Sequence, residues 1–489
     1  MTTPAASPEF VKAMTLTDAT MLVAGSMIGG GIFLVSADIS RTLESPGWLL
    51  VAWVLTGVIT VLGALAYGEL AAMYPRAGGM YTFLRESMGP MMGFLYGWTL
   101  FVVIQTGTIA AVGVSFAKFA GVLWPSLSPD RFGWFPQMDI HTSGGLIELG
   151  LSPQRLVALL SIAVLTWINL RGVKEGKTVQ TMLTFLKVGT LSLLVVLALT
   201  VGRSPEATAA NFGEGLFSGT PAPGTIFAVT FGTALVGSLF SADSWHAPTF
   251  AAAEVQNPAR NLPRAMLLGT GVVTLLYVLA NLGYLSVLPL HGSVDGATVV
   301  ARGMDHATQD RVATAVMEYM FGARGAALMA MAILVSTFGC NNGLILSGAR
   351  VYYAMARDGL FFARAGVLSK NAVPSFALVA QAVWTGLLCL TGTYSQLLDY
   401  VIFAALLFYA LTTIGLFILR VKRPNEPRPY RAIGYPVLPA LYILIALFID
   451  IVLLRYKPQY TWPGLIIVLL GIPVYFLWSR RSPQLSTEE

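Results

Sequence analysis

The stretch Gly25-Ser26-Met27-Ile28-Gly29-Gly30-Gly31-Ile32-Phe33 packs four glycines into seven residues, inside an apolar run covering residues 16–40. Glycine costs about 1 kcal/mol per residue in a helix interior relative to alanine. A triple-Gly run therefore predicts a break in a helix that its neighbours would continue. Taken alone, the glycines fit equally well a close helix contact of the GxxxG kind. A second irregularity, Phe240-Ser241-Ala242-Asp243-Ser244-Trp245, places a carboxylate inside another apolar run at 224–254.

Composition says what surrounds these runs. Of 489 residues, 55% are hydrophobic and 11% charged, and the mean hydropathy is +0.70. A soluble domain carries about a quarter of its residues as charges, so the outer surface here faces lipid. Without water, spanning segments must close their backbone hydrogen bonds as helices or barrels. The apolar runs reach about twenty residues or more, too long for barrel strands of about ten. The expected fold is an all-α membrane protein of about twelve transmembrane helices. They fall at 16–40, 47–74, 91–123, 153–170, 178–201, 224–254, 265–289, 324–356, 373–392, 395–420, 435–455 and 461–479. All 489 residues are expected to form one membrane-embedded domain.

The net charge of +6 would suggest nucleic acid in a soluble protein. In a membrane protein, basic residues gather in cytoplasmic loops, and no nucleic-acid partner is expected. With the N-terminus in the cytoplasm, cytoplasmic segments hold about 19 of the 30 Lys and Arg residues. Both termini are thus expected in the cytoplasm, in a plasma (inner) membrane. The first apolar run lacks a small-residue cleavage site and reads as a retained helix. External loops are expected at 124–152 and 290–323. The cytoplasmic stretches 75–90 and 357–372 are each expected to hold a small amphipathic helix on the membrane surface. Cys340 and Cys389 lie in apolar runs, and His141, His246, His291 and His306 are scattered without an HExxH pattern. No disulfide framework, metal site or cofactor is expected.

The first and sixth spans occupy matching places if the first ten form two five-helix halves. Interrupted segments at corresponding positions of two halves point to a transporter's binding site. The half-helix N-termini offer N–H groups to an anion, and freed carbonyls accept from a cation. A zwitterionic α-amino acid needs both. The candidates are Ser26, Met27, Ile28, Gly29, Gly30 and Gly31 in the first break, with Phe240, Ser241 and Asp243 in the second.

Lys187 lies nine residues into the fifth span, about 14 Å deep in a core about 30 Å thick. A lysine there costs about 2.5–3.5 kcal/mol on insertion scales and should face the bundle interior. Its ammonium can stand where a sodium ion would bind and bridge a broken helix to its neighbours; snorkelling to the interface is the other reading. Asp243 is read as contacting a cationic ligand group, pairing with Lys187, or held neutral. His246 follows as a possible pH-sensitive modulator, or simply as a hydrogen-bonded histidine beside Pro248. Glu69, near the cytoplasmic end of span two, is expected to pair locally with loop arginines. Cys340, Asn341 and Asn342 fit a cavity lining and helix–helix hydrogen bonding equally well.

The glycine stretch resembles the span-one signature of the amino acid–polyamine–organocation superfamily. Tyr67-Gly68-Glu69-Leu70 through Pro75-Arg76-Ala77-Gly78-Gly79-Met80-Tyr81 resembles the same superfamily. Glu254 through Asn257-Pro258 and Asn261 to Pro263 after span six looks like its cytoplasmic motif, as does Gly348 through Arg357-Asp358-Gly359 after span eight. Within it the chain looks most like L-type amino acid transporters. The resemblance implies a leucine-transporter-like 5+5 inverted repeat, about 15–201 and 224–420, plus two helices at 435–479, working by alternating access. It implies that the substrate carboxylate meets the N–H groups of Gly29 to Gly31. The α-amino group would meet carbonyls around Met27 and at Phe240 and Ser241, and Phe240 would gate. Lys187 matches a span-five lysine that substitutes for sodium and joins the first and eighth spans, with Ser336 its partner.

The sequence departs from the family at Asp243-Ser244, where Gly-Gly or Asp-Gly is frequent, and at His246, where asparagine is frequent. Cationic substrates go with an aspartate at that place. The external loop between spans three and four has no cysteine, so no disulfide-linked accessory subunit is expected. The expectation is a sodium-independent secondary transporter for α-amino acids, exchanging or proton-linked, and not an enzyme. Its alternatives are a cationic amino acid or polyamine carrier using Asp243, and a non-transporting receptor or channel.

Overall fold

Prolines and capping side chains mark where the helices start. Thr15 Oγ1 accepts from the Asp18 N–H at 3.2 Å, while the Asp18 carboxylate accepts from the Thr15 N–H at 2.9 Å, a reciprocal box that satisfies two first-turn donors. Ser152 caps its helix by accepting from the Arg155 N–H. Pro46, Pro90, Pro153 and Pro258 open theirs, at positions where a missing N–H removes no helical bond.

The computed structural model describes residues 10–479 except 128, 131, 143, 144, 220–223, 392 and 393. Span one is two half-helices, Leu16–Met27 and Gly31–Leu43. Spans two to five are Pro46–Met73, Pro90–Leu123, Pro153–Arg171 and Val173–Thr200. Span six is Thr225–Ser241 with the short Ala247–Phe250 beyond its break. Spans seven to twelve are Pro258–Val287, Val312–Arg357, Ser375–Cys389, Tyr394–Lys422, Val437–Tyr456 and Pro458–Ser479. Among the described residues, nine helices are long and apolar enough to cross a membrane, and the bent first pair makes a tenth. The shorter apolar helices Ile226–Ser241 and Ser375–Cys389 complete the twelve apolar segments. The chain is an integral membrane protein.

Spans two and seven pack along each other, as do spans three and eight. The first half of span one lies on span seven, and its second half lies on span six. Spans four and five turn Leu156, Leu160, Val164 and Trp167, and Met182, Phe185, Leu186, Leu193 and Val196, outward. That is the spacing of one helix face, here facing lipid.

Four expectations change. The helix in 75–90 is Met80–Met88, but Met80, Tyr81, Phe83 and Leu84 are buried, so it is wedged into the protein and not laid on the membrane. Only a 3-10 turn, Ala363–Gly366, forms in the described part of 357–372 that follows span eight. The loop 124–152 carries an antiparallel hairpin, Met138–Thr142 with Gly145–Leu149, Met138 opposite Leu149. Span eight also starts earlier than its apolar run, bending at Gly322, whose φ of +61° suits glycine.

Candidate functional site

The first half-helix of span one stops at Met27, and the axis turns by 41° before the second begins at Gly31. The Gly29 N–H folds back onto Met27 O at 2.8 Å. The opening turn of the second half presents N–H groups that no helical carbonyl reaches. These glycines are required by close approach. A Cβ on Gly31 would lie 2.8 Å from Ser241 Cβ and 3.0 Å from its Cα. One on Gly30 would strike the Ser115 hydroxyl and lie 2.8 Å from Ser115 Cβ. The break of span one thus touches the break of span six and the middle of span three.

Carbonyls freed by the break are taken up by side chains from other spans. Lys187 Nζ donates to Gly25 O, to Ile28 O at 3.0 Å and to Ser336 O at 3.3 Å. Its side chain is 2% exposed, against 55% for Phe185 two residues before. Lys187 therefore faces the interior, and the snorkelling reading falls away. Ser336 Oγ donates to Ile28 O at 3.1 Å, and Cys340 Sγ to Ser26 O at 2.9 Å. Tyr277 of span seven sets its hydroxyl 2.9 Å from Met27 O and 3.0 Å from Ser241 O. One phenol thereby spans both breaks, on two of the carbonyls expected for a substrate ammonium.

Span six breaks differently. Ala242 and Asp243 turn back onto Ser238 O and Phe240 O, and Ser244 takes a left-handed φ of +66°. Asp243 Oδ1 accepts from the Tyr409 hydroxyl of span ten, and Ser244 Oγ lies 3.5 Å from Oδ2. The same Tyr409 hydroxyl is 3.4 Å from His246 Nδ1. Rings of Tyr67, Trp245, Phe250 and Tyr409 close around His246. Asp243 does not pair with Lys187, because that ammonium is engaged by the carbonyls of spans one and eight.

The glycine stretch, Ser241, Lys187 and Ser336 thus come together, and Phe240 is buried beside them in sequence. Asp243 and His246 sit on the span-ten side of the second break. Asn341 Nδ2 donates to Ile109 O at 3.2 Å. Its Oδ1, with Ser26 Oγ and Ser115 Oγ, has no hydrogen-bond partner among the described residues, so three buried polar atoms stand ready around the first break. Asn342 is structural, joining Asn169, Gly176 and Gln180 across spans four, five and eight. Sequence reasoning missed Tyr277, Ser115 and Tyr409. Each is a single polar residue in an ordinary apolar helix, with no local signal. Among the described residues no group of three or more His, Cys, Asp or Glu could hold a metal ion.

The face carrying both ends of the described chain is sealed by ion pairs. Glu69, fully buried, accepts from Arg420, Arg428 and the Ala432 N–H. Glu254 and Arg350 pair at 2.9 Å, both buried. Residue 14 pairs with Val255 as a parallel bridge, and Lys177 holds Asp18 at 2.9 Å. Arg85 and Tyr81 both reach Asp358, at 2.6 and 2.7 Å. Burial, with the Asp358 carboxylate beside it, pushes the Tyr81 phenol well above its ordinary range, so it stays a donor. On the opposite face Arg41 pairs with Asp310 at 2.9 Å.

The family model described as amino acid permease matches residues 14–476. The large neutral amino acids transporter small subunit 2 of Mus musculus is 30% identical over 486 residues, covering 96% of this chain and 82% of that protein. The serine/threonine exchanger SteT of Bacillus subtilis (strain 168) is 30% identical over 477 residues, covering 96% and 98%. The b(0,+)-type amino acid transporter 1 of Mus musculus is 26% identical over 480 residues, covering 96% and 90%.

Proposed function

The chain belongs to the amino acid permease family, and from that premise we propose that it is a secondary transporter moving α-amino acids by alternating access, without sodium. The observation that carries the sodium-independence is Lys187, whose ammonium occupies the carbonyls of Gly25, Ile28 and Ser336 where a coupling cation would otherwise be coordinated. The substrate carboxylate would meet the N–H groups of Gly29 to Gly31, with Ser26 and Ser115 in reach. The substrate ammonium would meet the carbonyls around Met27 and at Phe240 and Ser241. Tyr277 has one hydroxyl proton to share between Met27 O and Ser241 O, and Met27 O also accepts from the Gly29 N–H. The two halves, 15–201 and 224–420, move against each other, with 435–479 outside them.

Both termini face the cytoplasm of a plasma (inner) membrane in this reading, supported by the placement of Lys and Arg. No catalytic or disulfide-linked accessory role is assigned. Uptake of a labelled amino acid panel into proteoliposomes, with and without sodium, tests the proposal. Absence of uptake for every member, or an absolute need for sodium, would refute it. A second reading, a carrier of cationic amino acids or polyamines, rests on the buried carboxylate of Asp243. Competition by arginine and putrescine against leucine separates the two.

A further inference from the structure

Building on the transporter reading, we propose that Asp243, Tyr409 and His246 form a proton-carrying chain that couples amino acid movement to proton movement. Asp243 is buried and, among the described residues, no Lys or Arg pairs with it. Low-dielectric surroundings disfavour a carboxylate with no cation beside it. A substrate cation or a proton can relieve that state, and the geometry favours the proton.

Oδ1 is already engaged by the Tyr409 hydroxyl, and Ser244 Oγ is beside Oδ2. The Tyr409 ring is packed against Tyr67 at 6.2 Å, Trp245 at 5.8 Å and His246 at 5.2 Å. A substrate ammonium would have to displace the hydroxyl and open this wall, whereas a proton needs no room. The second observation is the link onward: one hydroxyl touches both the carboxylate and, at 3.4 Å, His246 Nδ1. Among the described residues, the other titratable groups that interact with Asp243 are Tyr67 of span two, Tyr96 of span three, Cys340 of span eight and Tyr442 of span eleven. They are phenols and a thiol, and none supplies a positive charge.

The step balances without any further reactant. A proton from water on one side forms an O–H bond on Asp243. On release that bond breaks and the proton passes to the Tyr409 oxygen, as the proton Tyr409 carried moves to His246 Nδ1. This leaves a carboxylate, an intact phenol and an imidazolium, which returns its proton to water on the other side. Coupling follows from position. Asp243 lies two residues beyond Ser241, which packs on Gly31 at the span-one break, so charging or neutralising it biases the segment that must move with the substrate.

The test is wild-type protein in proteoliposomes enclosing a pH-sensitive dye, given a transported amino acid outside and labelled uptake in parallel. Protons should enter with the amino acid, about one for each molecule carried by a single carboxylate. Asp243→Asn should abolish the proton entry. Tyr409→Phe and His246→Gln should lower protons per amino acid, whatever happens to the uptake rate. Uptake by the wild type with no proton entry overturns the proposal. So does a Tyr409→Phe protein that is slower but keeps the wild-type ratio. Arginine uptake without proton movement, lost in Asp243→Asn, assigns the carboxylate to a substrate cation and overturns it too. Failure to carry any amino acid is a different result, because it removes the transporter reading itself.

Discussion

At the break of span one, the chain offers backbone and nothing charged of its own. Its freed carbonyls are held by side chains from spans five, seven and eight: Lys187, Tyr277, Ser336 and Cys340. At the break of span six, the chain brings its own carboxylate and imidazole, and one tyrosine from span ten joins them. Backbone groups cannot read a side chain, but they suit the carboxylate and ammonium common to all α-amino acids. In the proposed reading, the first break would meet what substrates share. The second, which carries a buried carboxylate and an imidazole, is where selectivity or coupling would be set.

The sharpest way to break this division is Lys187→Ala. It takes the ammonium off Gly25 O and Ile28 O, leaving Ile28 O to Ser336 Oγ alone, and a buried acceptor left unsatisfied costs about 1–3 kcal/mol. Uptake should fall about a hundredfold, the equivalent of about 2.7 kcal/mol, for every amino acid alike. Asp243→Asn keeps an acceptor for Tyr409 and should spare binding of neutral amino acids in a thermal-shift titration. If Lys187→Ala transports normally while Asp243→Asn binds nothing, the roles of the two breaks are reversed.

Next in size is the contact between the first break and span three. Gly30→Ala drives a methyl into Ser115, and overpacking of this kind costs about 1–3 kcal/mol. Uptake should drop about tenfold. Ser115→Gly in the same chain removes both the Cβ and the hydroxyl in the way, and it should restore most of the loss. Gly30 has φ −80° and ψ −22°, open to alanine, so a double variant no better than the single would show that the approach to Ser115 is not what excludes a side chain there.

The parts of this site that could be read from the chain were those with a local signature. Three adjacent glycines matched by a second irregularity in span six favour a break over a mere close contact, and the depth of Lys187 favours the interior over snorkelling, so span one and Lys187 were legible. Glu69 was legible as a member of an ion pair, but its partners were not: the local Arg76 goes to Glu86, and Glu69 is held by Arg420 of span ten and Arg428 beyond it, over 350 positions away. Tyr277 was not: it is one aromatic residue in a long apolar helix, and its role depends on Met27 and Ser241 lying 250 and 36 positions away. Tyr409 and Ser115 were hidden for the same reason. The hairpin at 138–149 was missed although Met138-Asp139-Ile140-His141 alternates apolar with polar, because four residues of alternation are too short a signal inside a loop rich in Pro, Gly and polar residues. Helix existence is written in composition; the neighbours across the bundle are written only in the packing.

Tyr277→Phe sharpens the comparison by cutting the one hydroxyl that serves both breaks. A lost hydrogen bond of this kind costs about 0.5–1.5 kcal/mol, so uptake should fall about threefold to tenfold. Because the hydroxyl acts on main-chain carbonyls, alanine and leucine uptake should fall by the same factor. A loss confined to one of them would place Tyr277 in side-chain recognition instead.

The smallest expected effect separates the strain in the second break from its chemistry. Ser244 holds φ at +66°, a left-handed conformation that costs an L-residue about 1–2 kcal/mol and costs glycine almost nothing. Ser244→Gly relieves that strain but gives the unfolded chain more freedom, which offsets about 0.4–1 kcal/mol of the gain. The hydroxyl it removes is 3.5 Å from Asp243 Oδ2, too long to contribute much. The net change in thermal stability of purified protein should therefore be a slight gain, under about 1 kcal/mol. A clear fall in the unfolding midpoint would mean that the hydroxyl helps hold Asp243, and that the second break depends on its side chains for stability as well as for function.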